Sequence, residues 1–178
     1  MNDEVTTINS YAFQNCTALT TVTIADGVTE IQENVFTGCT KVSFLCEATS
    51  KPSGWSSSWN SGNRPVVWKY AGSSGTSDGL NWALVSGNTV VIYGRSGSST
   101  SITLPTTING KAVRGISENA FRGDTKITSI FIPTCIEFIG SYAFYGCTGI
   151  TINCEMISQP SGWSSYWKDS SATVYWDM

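Results

Sequence analysis

The chain has 178 residues, of which 40% are hydrophobic and only 13% are charged. This length is enough for one or two small domains with real cores, and the hydrophobic share argues against wholesale disorder. The net charge is −3 and the ten basic residues are scattered singly, which excludes the basic footprint of a protein that binds nucleic acid or an anionic membrane. No apolar run approaches the roughly 18 to 20 residues needed to cross a bilayer.

The chain contains no histidine. This excludes Ser-His-Asp and Cys-His nucleophile arrangements and removes the commonest general base. Because no C-x-x-C spacing occurs either, a zinc site is not expected. We therefore predict that the protein is not an enzyme and holds no metal and no cofactor.

A repeat of 23 residues begins near the N-terminus. Phe13 in YAFQNCT is followed by Phe36 in NVFTGCT at this spacing, and Ile8 and Ile31 keep it too. Apolar residues follow an L-x-x-L-x-L pattern within each repeat, and the alternation in TTVTI predicts a short strand with one inward face. The S-x-x-F segment that begins at Ser10 predicts a single helical turn. Each repeat thus offers apolar groups from several sides, as stacking into a solenoid requires.

The segment PSGWSSSW follows the repeats and predicts a short helix with both indoles on one face. We interpret Trp55 and Trp59, together with Trp68, as a lid over the open apolar end of the solenoid. The alternative is that Trp55 and Trp59, like Trp163 and Trp167 in the later copy PSGWSSYW, form an exposed platform on which sugars stack.

The segment AGSSGTSD (71–78) is rich in Gly and Ser and predicts a linker or loose loop. LNWALVSGNTVVIYG then predicts a β-hairpin. Residues 108 apart match without a gap from Ile8 to the end, as Phe13 matches Phe121. We therefore predict a first module (1–70), the linker, and a second module (79–178) that contains the hairpin, with a Trp-rich cap on each module.

The start, MNDEVTTINS, has neither the basic nor the apolar region of a signal peptide. The first module also lacks a hairpin equivalent to that of the second. We therefore expect the chain to be a piece of a longer protein.

The string I-x-x-x-A-F-x-x-C-T-x-[LI]-T-x-[VI]-x-I-P, which describes these repeats, resembles the BspA-like leucine-rich repeat family of bacterial and protist surface proteins. Val35, Asp124 and Ala25 depart from this pattern at its Ala, Cys and Pro positions. The resemblance implies an α+β, β-rich leucine-rich-repeat solenoid with short strands, single-turn helices, a hairpin lead-in and Trp-rich end caps. It also implies an extracellular or cell-surface location and a role in adhesion, for which the signal peptide and anchor would lie outside this chain.

The repeat register also predicts the burial and redox state of the six cysteines. Cys16, Cys39 and Cys147 occupy one repeat position, which predicts buried, reduced thiols in a ladder rather than disulfides. Glu47 and Glu155 occur once per module and could be considered as a catalytic pair of carboxylates. No second acid stands at a fixed spacing from either, so we predict a structural hydrogen bond at this position.

Solenoids usually bind partners through their strand face. The outward strand positions are small, neutral and rich in hydroxyls, with one conspicuous phenyl group, and they suit weak contacts whose affinity comes from multivalency. Our leading hypothesis is a monomeric, non-enzymatic surface protein that binds a host or bacterial surface protein. The alternatives are glycan binding through the tryptophan platform and a passive spacer. The candidate binding face consists of Thr21, Thr23, Lys41, Ser43, Thr103, Ser129 and Phe131.

Overall fold

The computed structural model describes residues 4–178, so residues 1–3 of the predicted first module lie outside it. The described residues form fifteen strands, and no helix occurs among them. The predicted solenoid is therefore confirmed, whereas the predicted α+β class with single-turn helices is wrong. Within this range no helix is long and apolar enough to cross a membrane.

The first module contains two short parallel sheets, and each of its first two coils contributes one strand to each sheet. One sheet has the order β2-β4-β5 and the other pairs β1 with β3, with an isolated bridge from Ile31 to Trp55. The alternation expected from TTVTI is present, because Val22 and Ile24 are buried and Thr21 is exposed. The strands are β1 (Thr7–Ile8), β2 (Thr21–Ile24), β3 (Glu30–Ile31), β4 (Ser43–Cys46) and β5 (Val66–Val67).

The S-x-x-F segments are turns rather than helical turns, for a reason visible in their hydrogen bonds. The Phe13 amide donates to the Val35 carbonyl of the next coil at 3.0 Å, and the Phe144 amide donates to the Trp167 carbonyl at 2.8 Å. These amides are thus unavailable for bonds within a helix. The residue two positions before each Phe is also left-handed, as at Tyr11 (φ 61°), and this conformation interrupts a right-handed helix. The segments therefore form a third ladder between coils.

The Gly/Ser-rich segment is not a loose loop. Residues 70–77 form strand β6, which pairs antiparallel with β7, so the local conformation predicted for 71–78 is wrong. Antiparallel pairing supplies partners for the backbone even where the side chains bury little. The division of the chain into two modules with a linker stays a prediction. The three strands at this junction are β6 (Tyr70–Ser77), β7 (Leu80–Val85) and β8 (Thr89–Arg95).

The hairpin β7–β8 is buried on both faces and lies between the two modules. Trp82 and Ile92 point into the core of the second module. Ala83 and Val91, on the opposite face, pack in a separate cluster with Leu45 of the first module. The near-continuous apolar run VVIY in β8 is typical of a strand covered on both sides.

The second module repeats the design with more coils. Its strand face is a four-stranded parallel sheet of order β15-β14-β12-β9. In the other sheet, β8 of the hairpin pairs parallel with β11, and β11 pairs parallel with β13. The strands are β9 (Ser101–Thr103), β10 (Thr107–Ile108), β11 (Lys111–Ile116), β12 (Ser129–Ile132), β13 (Phe138–Ile139), β14 (Thr151–Cys154) and β15 (Thr173–Trp176).

The phenylalanines of successive coils form columns in the core, as the 23-residue period predicts. The Phe13 and Phe36 rings are stacked with centroids 5.3 Å apart, and those of Phe121 and Phe144 are 5.2 Å apart. The column of the second module ends on Trp167, whose ring meets Phe144 edge-on at 5.9 Å.

Candidate functional site

The tryptophan units close the ends of the cores. Trp55 is only 2% exposed and Trp163 only 4%, and Trp59 and Trp167 are also buried. The Trp55 indole N–H donates to the Val28 carbonyl at 2.9 Å, and Trp163 donates to Ile136 at 3.1 Å. The geometry is that of a lid in both modules, although the segment is a series of turns and not the predicted short helix.

The glycine of each SGW sequence explains why the segment recurs. A Cβ atom at Gly54 would lie 2.4 Å from the Thr29 carbonyl oxygen, and one at Gly162 would lie 2.3 Å from that of Glu137. Both distances are well below van der Waals contact. Only glycine therefore lets the backbone approach the preceding coil closely enough for the next residue, tryptophan, to enter the core.

Burial also removes the basis of the predicted sugar platform. Stacking on a sugar requires an exposed ring face, and the faces of Trp55, Trp59, Trp163 and Trp167 lie against core side chains. The interpretation of these four residues as a carbohydrate platform is therefore wrong for this structure.

Four of the six cysteines are buried, but Cys16, which the repeat register predicted to be buried, is exposed, and so is Glu47. All six cysteines are free, and the Cys147 thiol donates to the Phe121 carbonyl of the preceding coil at 2.9 Å. Burial raises the pKa of Cys147 to about 11, so its thiolate is scarce at neutral pH. The Glu155 carboxylate accepts a hydrogen bond from the Thr134 amide at 2.8 Å, which confirms the structural role predicted for this residue. The described residues contain no group of acidic and cysteine side chains able to hold a metal.

Asp124, which replaces the repeat cysteine, forms an ion pair with the hairpin. Its carboxylate accepts hydrogen bonds from Arg95 Nε at 2.6 Å and Nη2 at 2.9 Å. Burial alone would raise the pKa of Asp124, but the hydrogen bonds from Arg95 and the amides after it outweigh burial and lower the pKa. The departure from the repeat pattern therefore marks the place where the hairpin is fixed to the second module.

Three of the predicted binding residues lie together on the strand face of the second module. Phe131 is paired in register with Thr103 on one side and with Asn153 on the other, and Asn153 is paired with Tyr175. The result is a row of four side chains across four parallel strands, Thr103–Phe131–Asn153–Tyr175, which we call the aromatic row. Ser129 belongs to the adjacent row of hydroxyl-bearing residues.

The remaining predicted residues lie in the first module, where the corresponding row is covered. Thr23 is paired with Leu45, and Leu45 with Val67. Leu45 and Val67 are buried against the hairpin, so this part of the predicted face is not open to a partner. Thr21 and Lys41 are exposed and Ser43 is half-buried at its margin. The predicted binding face is thus divided between a free sheet and an occupied one.

Two members of the aromatic row, Asn153 and Tyr175, were missed by sequence reasoning. The 108-residue period could have found them, because it aligns Thr23, Leu45 and Val67 with Phe131, Asn153 and Tyr175. Tyr175 is 51% exposed. The sequence feature that identifies Asn153 and Tyr175 is therefore the register of the repeat and not a local motif.

A cavity of about 620 Å³ lies where the two modules meet, and no motif in the sequence predicts it. Trp68 and Lys69 of the first module line one side, and Glu118, Phe138 and Ser141 of the second module line the other. Burial raises the pKa of Glu118, against the opposing effect of hydrogen bonds from the Trp68 and Asn119 side chains. The modules are joined here by the Val66 amide, which donates to the Glu118 carbonyl at 3.1 Å.

Solved structures of leucine-rich repeat proteins resemble part of this chain. No curated protein matches the chain. Among solved structures, a leucine rich cell surface protein from Faecalibacterium prausnitzii is 22% identical with a TM-score of 0.48, and the match covers 59% of this chain and 30% of that one. A leucine-rich repeat protein from Bacteroides capillosus is 18% identical with a TM-score of 0.43, and the match covers 58% and 99%. The leucine rich repeat protein of T. pallidum is 23% identical with a TM-score of 0.42, and the match covers 51% and 41%.

The sequence profile of the BspA type leucine rich repeat region matches six copies over residues 1–51 and 92–164. These ranges contain strands β1 to β4 of the first module, β9 to β14 of the second module and the end of β8 in the hairpin. The match covers more than half of the chain and coincides with the columns and ladders described above. The chain therefore belongs to the BspA-type leucine-rich repeat family.

Proposed function

We propose that this chain is a non-enzymatic protein-binding segment of a cell-surface or secreted protein, and that it mediates adhesion through the aromatic row of the second module. Membership of a leucine-rich repeat family supports a role in protein–protein interaction or at the cell surface.

The main support for the proposal is that the equivalent row in the first module is already covered by another part of the protein. Thr23, Leu45 and Val67 are related by the 108-residue period to the aromatic row, and Leu45 and Val67 are covered by a protein surface, the hairpin face that carries Ala83 and Val91. The same face of the same fold thus already binds protein within this chain. In the second module the face carries Tyr175, which is 51% exposed, and Phe131, which is half-buried.

The chemistry of the aromatic row suits a protein partner. Tyrosine and other aromatic residues are enriched where interfaces bind most strongly, since they bury much apolar area at low entropic cost. The row has no charged member, and neighbouring strands place its side chains about 4.8 Å apart, so it spans roughly 15 Å. This is a small site, whose useful avidity would come from several copies presented together.

The test is binding of the chain, displayed in many copies on beads, to a panel of purified extracellular matrix proteins and to a glycan array. We expect at least one matrix protein to bind. Tyr175→Ala should weaken this binding by about tenfold or more, the loss expected of an interface hot spot.

Tyr11→Ala is the matched control, because Tyr11 is also 51% exposed but lies on a turn of the first module. Equal losses for Tyr11→Ala and Tyr175→Ala would contradict the assignment of the site. Binding to glycans alone, or to nothing on either panel, would favour the carbohydrate or spacer alternative and overturn adhesion through this row.

A further inference from the structure

We propose that the cavity between the modules is a binding site for a neutral saccharide, with one or two sugar rings held between Trp68 and Phe138. This goes beyond adhesion through the aromatic row, because the cavity is a separate place with different lining residues. Its volume of about 620 Å³ is within the range of small-molecule sites in proteins.

Two aromatic side chains, one from each module, stand at this cavity. Trp68 packs against Trp55 with ring centroids 5.8 Å apart, and it remains only half-buried. Phe138 lies over Gly115, where a Cβ atom would be only 2.3 Å from its ring, and it is 36% exposed. Both rings are therefore held by packing while part of each remains available. Fixed aromatic faces suit the apolar face of a sugar ring, because they bury area without losing side-chain freedom.

Hydroxyl groups line the cavity on the side of the second module. The Ser141 and Ser164 hydroxyl oxygens are 2.9 Å apart and hydrogen-bonded to one another, and both residues line the cavity. Ser117 is also a lining residue and is 5% exposed, and its hydroxyl is buried without a hydrogen-bond partner among the described residues. Buried polar atoms normally have partners, so an unpaired hydroxyl beside a cavity points to a polar ligand.

The charges at the cavity favour a ligand without net charge. Glu118 and Lys69 are its acidic and basic lining residues, one of each sign. A cationic ligand would meet Lys69, and an anionic ligand would meet Glu118. A neutral polyhydroxylated ring avoids both repulsions, and its hydroxyls can donate to the Glu118 carboxylate, a strong acceptor.

The experiment titrates the whole chain with N-acetylglucosamine, galactose, glucose and cellobiose, and follows backbone amide shifts by NMR. Tetramethylammonium and sulfate serve as the cationic and anionic comparisons. We expect a saturable response to at least one sugar, with the largest shifts at Ser117, Glu118 and Ser141, and no saturable response to either ion. Dissociation constants in the millimolar range are sufficient, since the site is small and partly open.

Two variants test the assignment. Phe138→Ala removes one aromatic wall and should weaken sugar binding by about tenfold or more, while Glu118→Gln keeps the shape and should weaken it by about threefold. Tyr175→Ala is the control, because it alters the aromatic row and should leave sugar binding unchanged. If Phe138→Ala does not fold, as shown by its amide spectrum, Glu118→Gln carries the test.

The proposal would be overturned by no saturable response to any of the four sugars up to about 100 mM, or by sugar binding that neither cavity variant weakens. Saturable binding of tetramethylammonium or sulfate without sugar binding would also overturn it. The outcome does not depend on the matrix-protein assay, so failure of one proposal can be told from failure of the other.

Discussion

Replacing Trp163 tests whether the tryptophan units hold the fold together. The side chain is 4% exposed, and a buried indole removes about 150–250 Å² from water. At about 25 cal/mol per Å², Trp163→Ala should reduce the free energy of unfolding by about 4–6 kcal/mol. This is a large share of the roughly 5–15 kcal/mol that stabilises an ordinary domain. The melting temperature should fall by about 10–20 °C.

The conservative variant separates packing from hydrogen bonding. Trp163→Phe keeps most of the apolar contact but removes the indole N–H that donates to the Ile136 carbonyl. A buried carbonyl left without its partner costs about 1–3 kcal/mol, so this variant should lie between the wild type and Trp163→Ala. Trp55→Phe is an internal replicate, because Trp55 makes the corresponding bond to Val28.

The measurement is urea unfolding followed by far-UV circular dichroism, which does not depend on tryptophan emission. Tyr166→Ala is the control, since Tyr166 lies in the same segment but is mostly exposed. It should change the unfolding free energy by less than about 1 kcal/mol. If Trp163→Ala destabilised the protein no more than Tyr166→Ala does, the lid would contribute nothing measurable and our account of the solenoid end would be refuted.

Three further predictions concern the ion pair, the close approach of coils and the junction. The pKa of Asp124 is lowered in the folded state, so the stability from its pairing with Arg95 is present above the ordinary value of 3.8 and is lost as pH falls through the lowered value. Urea midpoints should therefore fall more steeply for the wild type than for Asp124→Asn as pH drops below about 4. Gly162→Ala forces a Cβ atom against the Glu137 carbonyl and should lower the free energy of unfolding, measured in urea, by about 1–3 kcal/mol. Leu45→Asn places a polar group in the buried contact with the hairpin. It should lower the free energy of unfolding by about 2–4 kcal/mol and increase the rate of proteolysis within residues 70–77.

Each of these predictions has a nearby control. Ser161→Ala changes an exposed neighbour of Gly162 and should be nearly neutral. Thr21→Asn alters an exposed residue of the same sheet as Leu45 and should leave proteolysis unchanged. Asp26→Asn removes an exposed carboxylate, and its urea midpoints should depend on pH in the same way as those of the wild type. Parallel pH curves for the wild type and Asp124→Asn would show that the Arg95 pair does not stabilise the fold.

The solenoid, its period and its core could be predicted from the sequence, because a strict register repeats the same inward positions. Phe13, Phe36, Phe121 and Phe144 are spaced by the period, and columns follow from that spacing alone. The buried tryptophans follow in a similar way, since the open end of a stack of coils must be covered. Local patterning was less reliable for backbone conformation. In the turns at Tyr11 and its equivalents, backbone amides donate to carbonyls of the following coil, and these partners are 22 to 24 residues away in the sequence.

Only the tertiary structure decided which surfaces are free. Leu45 and Phe131 lie on the same kind of strand face, yet Leu45 is buried under the hairpin and Phe131 is only half-buried. The cavity between Trp68 and Phe138 likewise arises from how the two modules meet. A repeat pattern specifies contacts between successive coils because the same short-range geometry recurs in each. The docking of one module on another depends on several long-range contacts that each occur once, such as the hydrogen bond from the Val66 amide to the Glu118 carbonyl, and no period in the sequence encodes them.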